Sequence, residues 1–196
     1  MATMNPAEVT YGAAAATGAI WVAPKGTTLP TDASTALGGA FTLLGFTSDA
    51  GVQISESRSQ ESIRAWEARK EVVTLTTEYT ESVSFTPIQC NADVCKLTWG
   101  NSNVVVGTGG ALTCKHTGDT LDPVCIVVET TPATGIVKRY CGTYQLSERG
   151  EQTLDGTQVD GRQLTFNAIA DSAGVTTYEY TAMTVTTTTT TTTTGA

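Results

Sequence analysis

Cys90, Cys95, Cys114 and His116 are the side chains with the right chemistry for a zinc site. Their spacing argues against one. No two cysteines form a C-x-x-C element, and His116 is the only histidine of the 196-residue chain. Cys125 and Cys141 bring the cysteine count to five. An odd count suits reduced thiols that fill small buried apolar sites better than a disulfide framework. A nucleophile system built on His116 has no evident group to orient the ring. Glu148, Glu151, Asp155 and Asp160 cluster in a turn-rich stretch. Paired carboxylates there would suit glycoside hydrolysis, and several oxygens would suit calcium, but the spacing matches no calcium loop. A solvated acidic loop is the expectation. The Gly107–Gly110 run lacks the lysine and helix of a phosphate loop and reads as a turn, and no G-x-S-x-G elbow is present. No catalytic residue, metal or cofactor is expected, and the chain reads as a non-enzyme.

A second pattern concerns contact rather than chemistry. Glu56, Arg58, Glu61, Arg64, Glu67, Arg69, Lys70 and Glu71 alternate in sign around Trp66. Mixed charge of this density is either a solvated face or a contact between subunits, where alternating signs give orientation and register. The second reading is adopted here. The formal net charge is −8, with acidic residues spread along the chain, which argues against a grip on nucleic-acid phosphate. The N-terminus lacks the basic start and apolar core of a secretory signal, and no apolar run approaches a membrane span.

The elements that must position these residues are β-strands. Gly, Thr, Val and Ser dominate, and apolar positions alternate with polar ones. Strands are predicted at Ala19–Ala23, Phe41–Phe46, Val52–Glu56, Asn103–Val106, Leu112–Lys115, Val124–Glu129, Ile136–Gln145, Leu164–Ile169 and Val175–Tyr180, with a turn at Ser48–Gly51. The clearest period of two runs through Val72–Thr86. One face carries Val73, Leu75, Thr77, Tyr79, Val83 and Phe85 and is expected to pack on the core. The other carries Thr74, Thr76, Glu78, Ser82, Ser84 and Thr86 and must meet water. The segment reads as a pair of strands that reverses or kinks near Thr80–Glu81. Asn91–Trp99 is predicted to be a helix, capped by Asn91 and ended by Gly100. One small helix and about ten short strands point to an all-β sandwich or barrel. Thr186–Thr194 is a low-complexity tail, which a neighbouring sheet edge would order.

Several segments resemble the major tail, or tail tube, proteins of long non-contractile-tailed bacteriophages, those of actinobacterial phages above all. The stretch 17–32, TGAIWVAPKGTTLPTD, is similar to their opening strand and "AP.GT.LPTD" pattern. Leu44–Val52 resembles their "LGYVSEDGV", and Glu61–Trp66 their "E.IKAW". Val72–Phe85, the helix and following strand in Asn91–Val104, and the closing strands of Leu164–Tyr180 are similar in order and spacing. The chain departs from the pattern at Glu67-Ala68-Arg69, where relatives often carry glycines. The cysteines and the threonine tail are also not hallmarks of the family.

The resemblance implies an N-terminal arm over residues 1–17, a tail tube β-domain over 18–183 and a Thr-rich tail over 184–196. It implies homohexameric rings stacked into a tube in the virion, with other tail proteins at the tube ends and viral DNA passing through without specific binding. No membrane partner is implied, and assembly would take place in the host cytoplasm. Each subunit would lend about four strands to an inner barrel. About 24 strands spaced about 4.8 Å apart and tilted about 40° give a backbone diameter of roughly 48 Å, wide enough for duplex DNA. Thr74, Thr76, Glu78, Ser82, Ser84 and Thr86 are the lumen candidates. The alternative is a secreted carbohydrate-binding β-sandwich with the threonine run as linker. Trp21, Trp66 and Trp99 are well separated and offer that reading no aromatic platform.

Overall fold

The computed structural model describes residues 4–6, 9–15, 18–132, 135–157 and 159–183. The threonine run Thr186–Thr194 lies outside them. The fold is all-β with one short α-helix, as composition and alternation required. The strands are β1 (Ile20–Pro24), β2 (Thr42–Leu43), β3 (Thr47–Arg64), β4 (Glu71–Pro87), β5 (Val104–Val106), β6 (Leu112–Cys114), β7 (Val124–Thr130), β8 (Ile136–Arg149), β9 (Leu164–Ile169) and β10 (Thr177–Met183).

Eight strands form one antiparallel sheet in the order β2-β1-β7-β8-β9-β4-β3, with β10 also on β8. β8 joins its two halves. Its first part, Ile136–Gly142, pairs with β10 and its second part, Thr143–Arg149, with β9. The strands β9 and β10 thus lie end to end along β8 instead of pairing with each other. Gly142 marks the change of partner. A Cβ there would stand 2.7 Å from the Thr176 carbonyl oxygen, so only glycine fits.

The main core lies between the two halves. Ile20, Ile126 and Val128 from β1 and β7 meet Val83, Phe85, Leu164 and Phe166 from β4 and β9. The rings of Phe85 and Phe166 stack with centroids 5.6 Å apart. β7 is buried on both faces, because Cys125 and Val127 enter a second cluster with Phe41 and Cys141. The 25–41 loop closes that side. Buried Arg139 holds it there, donating from Nη1 to the carbonyls of Asp32 and Thr35 at 2.8 and 2.9 Å.

The helix α1 (Ala92–Trp99) obeys its sequence signals. Asn91 Oδ1 accepts from the Val94 N–H at 2.8 Å, and Gly100, at φ +91°, donates back to Lys96 O. Leu97 is the residue that α1 buries in the main core. Beyond α1, β5 and β6 form a separate small hairpin around Gly107–Gly110.

Three predicted elements differ. Phe41–Phe46 contains only the two residues of β2. Ser48–Gly51 is not a turn between strands. It is an irregular stretch inside the 18-residue β3, which accommodates it through a register shift between Thr47 and Val52. Val72–Thr86 belongs to one 17-residue strand that neither reverses nor breaks at Thr80–Glu81. Its partner is β3, running through the charged stretch that pattern reading had not assigned to any element.

Candidate self-assembly surfaces

The ribbon of β3 and β4 outruns the rest of the sheet. β9 pairs with β4 only over Ser82–Phe85, so beyond Ser55↔Ser82 the ribbon has no third strand among the described residues. From Ser55 to Arg64, at about 3.4 Å per residue, it extends about 30 Å from the body. A ribbon of two strands is marginal alone in water. Residues 53–79 are exposed except Ala65, which is half-buried.

A β-bulge governs which way this arm faces. Gln60 pairs with Thr76 and Ser59 with Glu78, leaving Thr77 as the extra residue on β4. One inserted residue exchanges the two faces of a strand. Below the bulge, Tyr79, Val83 and Phe85 share a face with Val52 and Ile54. Val83, Phe85 and Val52 pack on the core, whereas Tyr79, expected there, is 40% exposed and Ile54 is exposed too. Above it, Val73 and Leu75 lie on the opposite face, beside Ile63. The expectation that Val73 and Leu75 pack on the subunit's own core is therefore corrected, since they are 46% and 48% exposed. The lumen candidates divide at the same point. Glu78, Ser82, Ser84 and Thr86 share one face, whereas Thr74 and Thr76 stand on the other, with Ser62 and Glu71. Hydrogen bonds from the Ser62 and Thr74 hydroxyls hold the Glu71 carboxyl below the usual range.

The residues of the charged stretch all lie on this arm. Glu56, Arg58, Glu61 and Arg64 are on β3, Trp66, Glu67, Arg69 and Lys70 form the tip, and Glu71 opens β4. None of the three ion pairs among the described residues lies within the arm. Arg58 instead lies over the ring of Tyr79, its cross-strand partner, at 5.4 Å. At the tip, Ala68 and Arg69 both have left-handed backbone, φ +54° and +52°. They occupy the two central positions of the Glu67–Lys70 turn, where a primed hairpin turn demands positive φ and usually employs Asn-Gly. Trp66 is 95% exposed beside it.

The second surface is the outer face of β9, β4 and β3. Thr165 and Asn167 continue across into Ser84 and Ser82, and these into Gln53 and Ser55. Glu78 adds a carboxylate, and the register brings no lysine or arginine onto this face of the three strands. β3 is the last strand in the order, so its outer edge is unpaired among the described residues.

The residues weighed for chemistry take structural places. His116 stacks on Trp99, with centroids 3.7 Å apart, while the Arg149 and Arg162 guanidinium carbons lie 4.7 and 5.5 Å from the indole. Cys125 and Cys141 are buried, but Cys95 and Cys114 are half-buried and Cys90 is exposed, which corrects the expectation of uniformly buried thiols. Burial, then the neighbouring Cys114 and Cys90, pushes the Cys95 thiol up to about 12, so it is no ready nucleophile at neutral pH. Asp155 caps Thr157, and Asp160 accepts from Gln152, within the acidic loop. Among the described residues no cluster of His, Cys, Asp and Glu could hold a metal ion, and no helix is long and apolar enough to cross a membrane.

Pattern reading missed two features. One is the ion pair of buried Arg139 with half-buried Glu129, 2.6 Å long. The other is a groove of about 630 Å³ between β1, α1 and the 119–123 loop. A family model described as phage tail tube protein matches residues 2–193, and the chain belongs to that family. No curated protein matches the sequence.

Proposed function

We propose that this phage tail tube protein, a structural subunit that self-assembles into the tube of a phage tail, does so as stacked hexameric rings whose lumen conducts DNA during ejection. Its likeness to the actinobacterial-phage type of long, non-contractile tail belongs to the same reading. The observation that carries it is the arm: an apolar face of Ile63, Val73 and Leu75, with Trp66 at the tip, that none of the described residues covers. A face left uncovered by the described residues is a contact surface in waiting. The charged residues Glu56–Glu71 around it set orientation and register between subunits.

The polar outer face of β9, β4 and β3 supplies the lumen wall in this reading. Its hydroxyls and amides stay hydrated, and the lack of cations denies DNA the phosphate contacts that dominate its affinity. The free edge of β3 pairs with the neighbouring subunit's sheet, which removes an exposed edge and closes the barrel. Glu78, Ser82, Ser84 and Thr86 belong to that wall, and Thr74 and Thr76 to the reverse side of the arm.

Negative-stain microscopy of the purified chain tests the proposal. Rings and tubes of uniform width, sixfold in end view, are expected. A chain that remains monomeric at high concentration, or closes into rings of another symmetry, overturns it.

A further inference from the structure

Trp66 stands at the end of the arm on a turn closed by the Ala65 N–H donating to Lys70 O at 2.8 Å. Arg64, Arg69 and Lys70 flank it in the chain, with Glu67 and Glu71, the latter the cross-strand partner of Arg64, as the acidic residues among them. A fully exposed indole flanked by cations is suited to a contact centre, since Trp and Arg dominate the residues that carry binding energy. Its receptor must offer an apolar recess large enough for a side chain that buries about 150–250 Å². The rim of that recess must be acidic.

The groove between β1, α1 and the 119–123 loop has both properties. Leu97 and Leu121 contribute apolar wall, and Asp93, Asp119 and Asp122 bring three carboxylates against Lys96 and Lys25, with Asp93 already 3.7 Å from Lys96. Asp119 and Asp122 are exposed and enter no ion pair among the described residues. The cavity of about 380 Å³ beside the arm's base is a poorer match. Its charged lining residue is Lys138, which already pairs with Glu179 at 3.1 Å.

We propose that the arm tip of one subunit seats Trp66 in this groove on a second copy of the chain, with Arg64, Arg69 and Lys70 against Asp93, Asp119 and Asp122. The inference rests on the tube reading and adds the receptor to it. Tip and groove are different patches of one surface, so the contact is heterologous. Each copy that donates a tip still presents an empty groove, and the interaction propagates instead of stopping at a dimer. The arm's reach of about 30 Å allows the tip to bridge to a subunit beyond the sheet edge from which it springs.

Two measurements on the full chain decide the matter. Trp66 is replaced by the photo-crosslinker p-benzoylphenylalanine, the protein is assembled and irradiated, and the joined peptides are identified by mass spectrometry. Cross-links to the α1 and 119–123 peptides of another copy are expected. Separately, Asp119→Lys with Asp122→Lys should lower tube yield about tenfold, and Arg69→Glu with Lys70→Glu should do the same. Combining all four changes should restore yield to within about threefold of the wild type. Tubes that form but cross-link elsewhere, or charge reversals that leave yield unchanged, overturn the docking and leave the tube reading standing. A wild-type chain that forms no tube overturns the tube reading and the docking with it.

Discussion

Arg139 makes four hydrogen bonds from a site only 4% exposed. Nε and Nη2 both donate to Glu129 Oε2, its cross-strand neighbour, and Nη1 serves the two carbonyls of the 25–41 loop. Removing the guanidinium takes these donors from a half-buried carboxylate and from two carbonyls of a partly exposed loop. Arg139→Met should therefore cost about 2–3 kcal/mol of folding stability, read from urea unfolding, and adding Glu129→Gln should recover part of it. In the sequence, Lys138-Arg139 looks like a solvated pair, because the partner Glu129 is defined only by strand register and the loop only by tertiary contact. Asp32 acts on the same loop. The Thr35 hydroxyl and N–H, then the Ser34 N–H, donate to its carboxylate and hold it well below the usual range. With the folded value depressed, the carboxylate contributes stability above the ordinary Asp range near about pH 4, and this is lost as pH falls toward the folded value. Asp32→Asn keeps an oxygen acceptor but cannot titrate. Its melting temperature should fall less steeply than the wild type's between about pH 4 and pH 2, and parallel curves would show that the loop does not sense this charge.

Helix α1 was legible to the residue, because its cap and its stop are local devices written into Asn91 and Gly100. The arm was legible only in part. Its alternation is genuine on both sides of Thr77, but a bulge leaves no mark on a pattern of period two. Threonine suits either face, so the sequence runs through the fault as if the strand were regular. The turn was also obscured, since Ala68-Arg69 lacks the glycine or asparagine that advertises positive φ. Deleting Thr77 should remove the bulge and bring Val73 and Leu75 onto the side of Val83 and Phe85. The pairing of Ser82–Phe85 with β9 lies below the deletion, so the monomer should keep its circular dichroism and unfolding midpoint. Assembly should be lost, because the apolar face of the arm then points the wrong way. Thr77→Ala, which keeps the residue count, should assemble normally. Tubes formed by the deletion variant at wild-type yield would show that the bulge does not aim the arm.

At the scale of the whole molecule, the proposed function asks one sheet to serve as core, wall and connector. The all-β class followed from composition, but the side on which β9, β4 and β3 meet solvent did not. That depends on which half of the sheet β8 folds over, a long-range consequence of its change of partner at Gly142. The outcome is a polar face of Ser, Thr, Asn and Gln backed by Phe85, Phe166 and Leu164, so its substitution leaves packing untouched. If it lines the lumen, Glu78→Lys with Ser84→Lys should permit tubes of normal width. It should also make them retain duplex DNA at low salt and release it as salt rises, since each phosphate contact displaces about one counterion. Thr74→Lys with Thr76→Lys provides the control. Those positions lie on the reverse of the ribbon, beyond the bulge, and should not create retention inside the tube. Electron microscopy of the mixed samples distinguishes DNA within tubes from DNA along their outer wall. Internal retention by the Thr74/Thr76 pair and not by the Glu78/Ser84 pair would place the lumen on the opposite face. Retention by neither would mean that this sheet does not line the channel.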